Sequence, residues 1–305
     1  MDIILHHYPQ SPISEKVRVV FGLKKLAWRS VQIPRIPPKP ELMPLPGGYR
    51  RTPVMHIGAD VYCDSQCIIR EIEYRYPLPT LLPGGSGGMP WGLARWIDGP
   101  FFDAAITVVL GHQAEQLPQD FAADRCRLYF GPNYDLDEIQ RTVPHALAQL
   151  RAQFGWIEER LQCGRPFLLG SDPGLPDALC YYLTWFVRGR YNEAEPLLNQ
   201  FPRLLEWYGR VADVGHGSPT DMTASEALDI AAASSPENNA GIDPQDPQGL
   251  AAGQRVAVAP DGDGGDPEVI GELATLNNAE IAIRREEPLV GEIIVHFPRV
   301  GYTVR

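Results

Sequence analysis

Arg51-Thr52-Pro53-Val54-Met55-His56-Ile57-Gly58-Ala59-Asp60-Val61-Tyr62-Cys63-Asp64-Ser65-Gln66 is the stretch on which the fold of this chain turns. Val54 to Ile57 and Val61 to Cys63 are short β-favouring runs, and Gly58-Ala59-Asp60 between them reads as a tight turn, which predicts a hairpin. Asp64 and Ser65 then stand where helix caps stand, ahead of a helical pattern that runs to about Tyr76 and is stopped by Pro77 and Pro79.

On the N-terminal side, residues 2–8 read as a strand. Ser14 to Leu26 carry Val17, Val20, Phe21 and Leu23 at helical spacing, and Trp28 to Ile33 read as a second strand. A β-α-β start predicts two parallel strands with a helix crossing over. Pro34 to Pro46 is too rich in proline for a long helix and reads as an irregular loop with one short helical turn. The order β-α-β, loop, β-β-α within the first 76 residues is the thioredoxin-like pattern.

On the C-terminal side, Pro83 to Pro90 contains four glycines and reads as a linker. Helices are predicted over 91–110, 119–130, 136–162, 175–190, 202–214 and 223–233, and Leu147, Leu150, Phe154, Ile157 and Leu161 form a core-facing stripe. Ser234 to Gln248 reads as a second linker. Beyond it, Gln254–Pro260, Val269–Thr275, Glu280–Arg285, Gly291–Phe297 and Tyr302–Arg305 read as short strands of a small antiparallel sheet or barrel. Residues 231–305 hold twelve Asp/Glu and five Arg, −7 of the chain's net −11, so this stretch reads as a separate unit. The expected class is α+β multidomain: a thioredoxin-like α/β domain over 1–80, an all-α helical bundle domain over 88–233 and a small β-rich C-terminal module over 250–305.

Composition narrows the functions. With 44% apolar and 21% charged residues in 305, the chain has the make-up of ordinary globular domains. A net charge of −11 repels phosphate backbones and anionic lipid, which argues against nucleic-acid and membrane partners. No apolar run approaches the roughly 18 residues of a membrane span, and a cytoplasmic location is expected. The five cysteines, odd in number and without a C-x-x-C pair, indicate neither a disulfide framework nor a zinc site and read as reduced, mostly buried thiols. His6 and His7 alternate across a strand and cannot face one metal. Asp261 to Asp266, with Glu272 twelfth, has Asp266 where a calcium loop needs Gly, and reads as a hairpin loop. No metal site is assigned.

Three segments carry a resemblance to the glutathione transferase family. Tyr8-Pro9-Gln10-Ser11-Pro12-Ile13-Ser14-Glu15-Lys16-Val17-Arg18 is similar to the family's strand-to-helix turn with its active Ser or Cys. Arg51-Thr52-Pro53-Val54 with the hairpin and Asp64-Ser65 is similar to its cis-proline and acidic-Ser glutathione motif. Phe167-Leu168-Leu169-Gly170 with Gly174-Leu175-Pro176-Asp177 is similar to the box that opens a central buried helix, with Gly174 where Ser or Thr is usual. The resemblance covers about residues 1–220; the region beyond 231 has no counterpart in the ordinary two-domain family. It implies a cytoplasmic, homodimeric detoxification enzyme that adds the glutathione thiol, as co-substrate, to a small electrophile. The alternatives are a non-catalytic glutathione- or ligand-binding protein of the same fold, and an interaction scaffold built on the acidic tail.

The resemblance also implies roles. Ser11, or Ser14 if the helix starts later, donates a hydrogen bond to the glutathione thiolate. Thr52, Pro53 and Val54 meet the extended peptide backbone of glutathione, with Val54 pairing like an added strand. Asp64 and Ser65 hold the γ-glutamyl group. A cation among Lys39, Arg50 and Arg51 meets the glycine carboxylate. The residues also have plainer readings: Ser11 as helix cap bonded to the Ser14 N–H, Asp64 and Ser65 as caps, and the three cations as solvated charge. An electrophile pocket would lie between the two domains, with Trp96 and Phe101 as candidate lining, although an aromatic on a helix is more often core.

Overall fold

The structure is a computed structural model and describes every residue except 134, 238–240 and 263. The chain divides into two compact units, one of Met1–Val17, Leu26–Arg75 and Ser218–Arg305, the other of Arg18–Lys25 and Tyr76–Gly217.

β1 (Ile4–His7), α1 (Pro12–Leu23), β2 (Ala27–Gln32), β3 (Val54–Ile57), β4 (Asp60–Cys63) and α2 (Ser65–Arg75) follow the predicted thioredoxin-like order, all in the first unit but for α1 from Arg18 onward. β1 runs parallel to β2, and β3 lies antiparallel to both β1 and β4. β1, β3 and β4 are buried throughout, as expected of strands covered on both faces, while β2 is exposed at Ala27 and Gln32. The peptide bond before Pro53 is cis. Gly58 turns the hairpin at φ 59°, a left-handed conformation that glycine adopts without strain.

The acidic tail does not stand apart as a unit of its own. β7 (Arg255–Pro260), β8 (Val269–Leu276), β9 (Glu280–Glu287), β10 (Gly291–Pro298) and β11 (Tyr302–Val304) lie within two residues of the predicted strands at each end, but β10 pairs in parallel with β4. The result is one continuous sheet of order β11-β7-β8-β9-β10-β4-β3-β1-β2-β5, with β6 (Gly241–Ile242) against β8. The physical reason is a shared core. Leu42, Leu45 and Tyr49 from the proline-rich loop, and Val54, Val61 and Cys63 from the hairpin, pack in one cluster with Val258, Leu273, Ile283, Val295 and Phe297 of the tail. Tyr302 of β11 lies with its ring centroid 5.6 Å from that of Phe297 on β10, so the tail strands curl back on themselves.

Two further elements join this unit. β5 (Ser218–Asp221), wholly exposed and not expected from the sequence, pairs in parallel with β2. α10 (Ala224–Ala232), read from sequence as the last of the bundle helices, instead packs Ala227 against Ile4 and Val31 of the sheet. Its start is fixed by a capping box in which Thr223 and Glu226 satisfy each other's backbone N–H.

The second unit is helical: α3 (Met89–Trp96), α4 (Phe102–Gln113), α5 (Gln119–Phe130), α6 (Leu136–Leu161), α7 (Leu175–Arg188), α8 (Ala194–Leu198) and α9 (Pro202–Ala212). The helix expected over 91–110 breaks at Gly99-Pro100, where a π-type turn spans Ile97–Phe101. Phe101 is fully buried against Phe154, and Trp96 stacks on it, so both aromatics serve this core. No described helix is long and apolar enough to cross a membrane.

α7 is buried along almost its whole length and is anchored by Asp177. That carboxylate accepts from the Leu168 N–H at 3.0 Å, the Gly174 N–H at 2.9 Å and Trp207 Nε1 at 2.7 Å. The usual hydroxyl residue is absent at Gly174 for a steric reason: a Cβ there would sit 2.8 Å from the Leu81 carbonyl oxygen and 2.7 Å from Pro83 Cδ.

Candidate functional site

Strand register gathers the sequence-derived candidates at one end of the sheet. His6 lies opposite Val54, and Val54 lies opposite Cys63. The end of β1 that leads to Ser11, the start of β3 that follows Pro53, and the end of β4 that leads to Asp64 therefore lie at the same end of the sheet. Lys39 joins them: its buried ammonium donates to Thr52 Oγ1 at 2.7 Å and to the Arg50 carbonyl at 3.0 Å.

Ser11 ends the turn after β1, donating its N–H to the Tyr8 carbonyl, and caps α1 by accepting the Ser14 N–H on Oγ at 3.2 Å. Pro12 occupies the first helical position, where a missing N–H costs nothing. Capping uses a lone pair of the Ser11 oxygen and leaves its proton available to an acceptor. Ser14, fully buried, has no hydrogen-bond partner for its hydroxyl among the described residues. A buried hydroxyl without a partner is uncommon and calls for a reason. Two hydroxyls thus lie one helical turn apart at the positive end of α1.

Val54 is flanked by β1 and β4 on both sides, so its backbone belongs to the sheet and not to an edge. Thr52, outside the strand, is the backbone that remains to meet a ligand. Asp64 adopts φ 75°, one of two described non-glycine residues in the left-handed region, and its Oδ1 accepts the Gln66 N–H at 2.8 Å. Such conformations concentrate at functional sites. Ser65 is buried at the first position of α2.

The tail reaches to this end of the sheet. Asp266 takes Arg51 in a two-pronged pair, Nε to Oδ1 at 3.0 Å and Nη2 to Oδ2 at 2.6 Å, which commits the Arg51 guanidinium. The Tyr302 hydroxyl lies 3.1 Å from Asp64 Oδ2 and 3.1 Å from the Tyr49 hydroxyl. Burial, reinforced by the Asp64 charge, raises the pKa of both tyrosines well above the usual value, so both keep their protons. Sequence reasoning missed Tyr49, Asp266 and Tyr302, because nothing local marks a residue whose partner lies 215 or 238 positions away.

A concavity of about 400 Å³ opens where the tail meets β4, lined by Asp60, Tyr62, Arg70, Glu71, Glu280 and His296 among others, and by none of the sequence-derived candidates. His296 bridges two carboxylates, Nε2 to Asp60 Oδ1 at 3.0 Å and Nδ1 to Glu280 Oε1, and stacks on Tyr62 with ring centroids 4.6 Å apart. Burial opposes its charge, but the two carboxylates prevail and lift its pKa to about 9. Glu71 accepts from the Tyr62 hydroxyl and from Arg75, and Arg75 also reaches Glu237, so the carboxylates of this concavity are paired within it. On the opposite side of β1 and β3, His6 and His56 are fully buried with ring centroids 5.2 Å apart. Burial lowers both pKa values, that of His56 to about 4. Four cysteines are buried and Cys163 is exposed, all as free thiols.

The family model of the glutathione S-transferase N-terminal domain matches residues 5–80, and that of the C-terminal domain residues 120–210. The chain is similar over 100% of its length to 98% of a GST-like protein from Pseudomonas syringae, at 33% identity and a TM-score of 0.77, so that likeness includes the tail. A Methylobacillus flagellatus glutathione S-transferase with glutathione bound is similar at 19% identity and a TM-score of 0.53, over 72% of this chain and 100% of that one. The glutathione transferase GSTFuA3 from Phanerochaete chrysosporium is similar at 17% identity and 0.53, over 70% and 97%. These last two likenesses are of fold. No curated protein sequence matches the chain significantly.

Proposed function

The chain belongs to the glutathione S-transferase family, and on that premise we propose that it binds glutathione and adds its thiolate to a small electrophile. The observation that carries the reading is the register that brings Ser11, Thr52, Lys39, Asp64 and Ser65 to one end of the sheet. Asp64 and the start of α2 take the γ-glutamyl ammonium and carboxylate, Thr52 pairs with the peptide backbone and Lys39 meets the glycine carboxylate. Arg51, held by Asp266, steadies the loop instead.

The chemistry needs a thiolate, and a free thiol with a pKa of about 8.5 is mostly protonated at neutral pH. Lowering that value by about two units takes roughly 2.7 kcal/mol, and one hydrogen bond to a charged group contributes about 1.5–3 kcal/mol. The Ser11 proton supplies such a bond, and the start of α1 adds about 0.3–1 kcal/mol. The thiol proton leaves to solvent, sulfur bonds to the electrophilic carbon, and the leaving group departs or the adduct takes up a proton. The family resemblance adds a homodimer and a cytoplasmic setting to the proposal. Burial of Ser11 and Ser14 favours a second reading, glutathione binding without turnover.

Calorimetric titration with glutathione tests the proposal. Wild type binds, and Asp64→Ala with Ser65→Ala, folded by thermal melting, binds at least about tenfold more weakly given about 1–3 kcal/mol per lost partner. Unchanged affinity in a folded double variant refutes the site. Binding with no turnover of any electrophile selects the second reading.

A further inference from the structure

Both oxygens of Asp64 are held, and by different parts of the chain. Oδ1 accepts the Gln66 N–H at 2.8 Å, within its own helix start. Oδ2 lies 3.1 Å from the hydroxyl of Tyr302, 238 residues onward. The two tyrosine hydroxyls each carry one proton, and the carboxylate is the stronger acceptor. Tyr302 therefore donates to Asp64 and accepts from Tyr49, 3.1 Å away.

Packing alone does not ask for this hydroxyl. Tyr302 is buried, its ring lies against Phe297 and its backbone pairs with Pro260 of β7, contacts a phenylalanine would keep. Burying a hydroxyl costs free energy unless it is bonded, and here the bonded chain runs from Tyr49 through Tyr302 to a carboxylate. Each carboxylate oxygen still has a lone pair for an incoming cation. The side chain that would meet an ammonium is thus oriented before the ligand arrives, which reduces what binding must spend on ordering.

We propose that Tyr302, on the last strand of the tail, is a positioning residue of the glutathione site, holding the Asp64 carboxylate for the γ-glutamyl ammonium. The proposal rests on the role given to Asp64 above. It assigns the tail a part in ligand recognition that the two-domain members of the fold do not share by construction, since Tyr302 lies beyond their two matched domains at residues 5–80 and 120–210.

The test titrates the full-length protein with glutathione and with N-acetylglutathione, whose ammonium is masked. Tyr302→Phe loses about tenfold in glutathione affinity, the size of effect that one hydrogen bond to a charged group carries, while N-acetylglutathione affinity is unchanged. In an Asp64→Asn background the same substitution changes nothing, because the group it orients no longer binds the cation. Equal affinity for glutathione in folded Tyr302→Phe, or an equal loss for both ligands, overturns the proposal. Should Tyr302→Phe fail to fold, Tyr49→Phe removes the donor behind Tyr302 and keeps both rings; a smaller, glutathione-selective loss supports the proposal and no loss overturns it. Wild-type protein that binds neither ligand refutes the glutathione reading itself, a result distinct from all of these.

Discussion

His296 ties the tail to the hairpin, and its protonation makes that tie measurable. Both ring nitrogens face carboxylate oxygens, Asp60 on one side and Glu280 on the other, and a neutral imidazole has only one N–H to give. The folded ring therefore carries its charge, with a pKa of about 9 against about 6.5 for an unperturbed histidine. A pKa raised in the folded state stabilises fully below about pH 6.5, and the contribution disappears as pH rises through about 9. Some 2.5 units at 1.36 kcal/mol each give roughly 3 kcal/mol. Guanidinium unfolding from pH 6 to pH 9.5 should show wild type losing about that much, while His296→Gln starts lower and stays flat across the window. Parallel slopes for the two proteins would refute the argument, since the titrating group would lie elsewhere.

On the acid side the sign reverses: burial holds His56 neutral, so stability present above about pH 6.5 should fall as pH drops through about 4, and His56→Phe should flatten that limb of the unfolding curve. Ser11→Ala should cost about 1 kcal/mol as a lost cap and raise the bound-thiol pKa by about one to two units, read by thiolate absorbance. Ser14→Ala removes a hydroxyl without a partner, so its melting temperature should hold or rise, and a raised thiol pKa there with none in Ser11→Ala would transfer the donor role. Truncation after residue 233 should give insoluble protein: exposing Leu42, Leu45 and Val61 alone costs roughly 5–9 kcal/mol at about 1.5–3 each, comparable to a whole domain's stability of about 5–15. A monomeric truncated chain with cooperative unfolding would show that the hairpin does not need the tail.

The sequence made most elements legible because each is announced locally. Pro77 and Pro79 stop α2, Gly58 turns the hairpin, and the period-two runs of the tail mark β7 to β11 to within two residues at each end. The helices α5, α6, α7 and α9 emerge in the same way, whereas α8, five residues long, was not expected. β5 escaped because Ser218-Pro219-Thr220-Asp221 is polar and wholly exposed and carries no burial signal. The seam between β10 and β4 escaped for a different reason. Alternation tells which face of a strand is buried but not which strand lies beside it, and composition misled, since the tail's charges separate it on paper while Val295 and Phe297 bury it against Val61. At the site, Ser11, Thr52, Asp64 and Ser65 were readable as candidates, whereas the pairs Arg51–Asp266 and Asp64–Tyr302 depend on tertiary closure.

The join between β4 and β10 also sets a timetable. Asp60 and its partner His296 are separated by 236 residues, and all of the helical unit from Tyr76 to Gly217 is synthesised between them. At about 5–20 residues per second, the open edge of β4 waits roughly 10–50 s on the ribosome for its neighbour. During that interval the nascent hairpin carries an unpaired strand edge and the apolar side chains that the tail will cover. The first strands made are thus among the last to be completed, and the growing chain is a natural client for a chaperone until its final residues emerge.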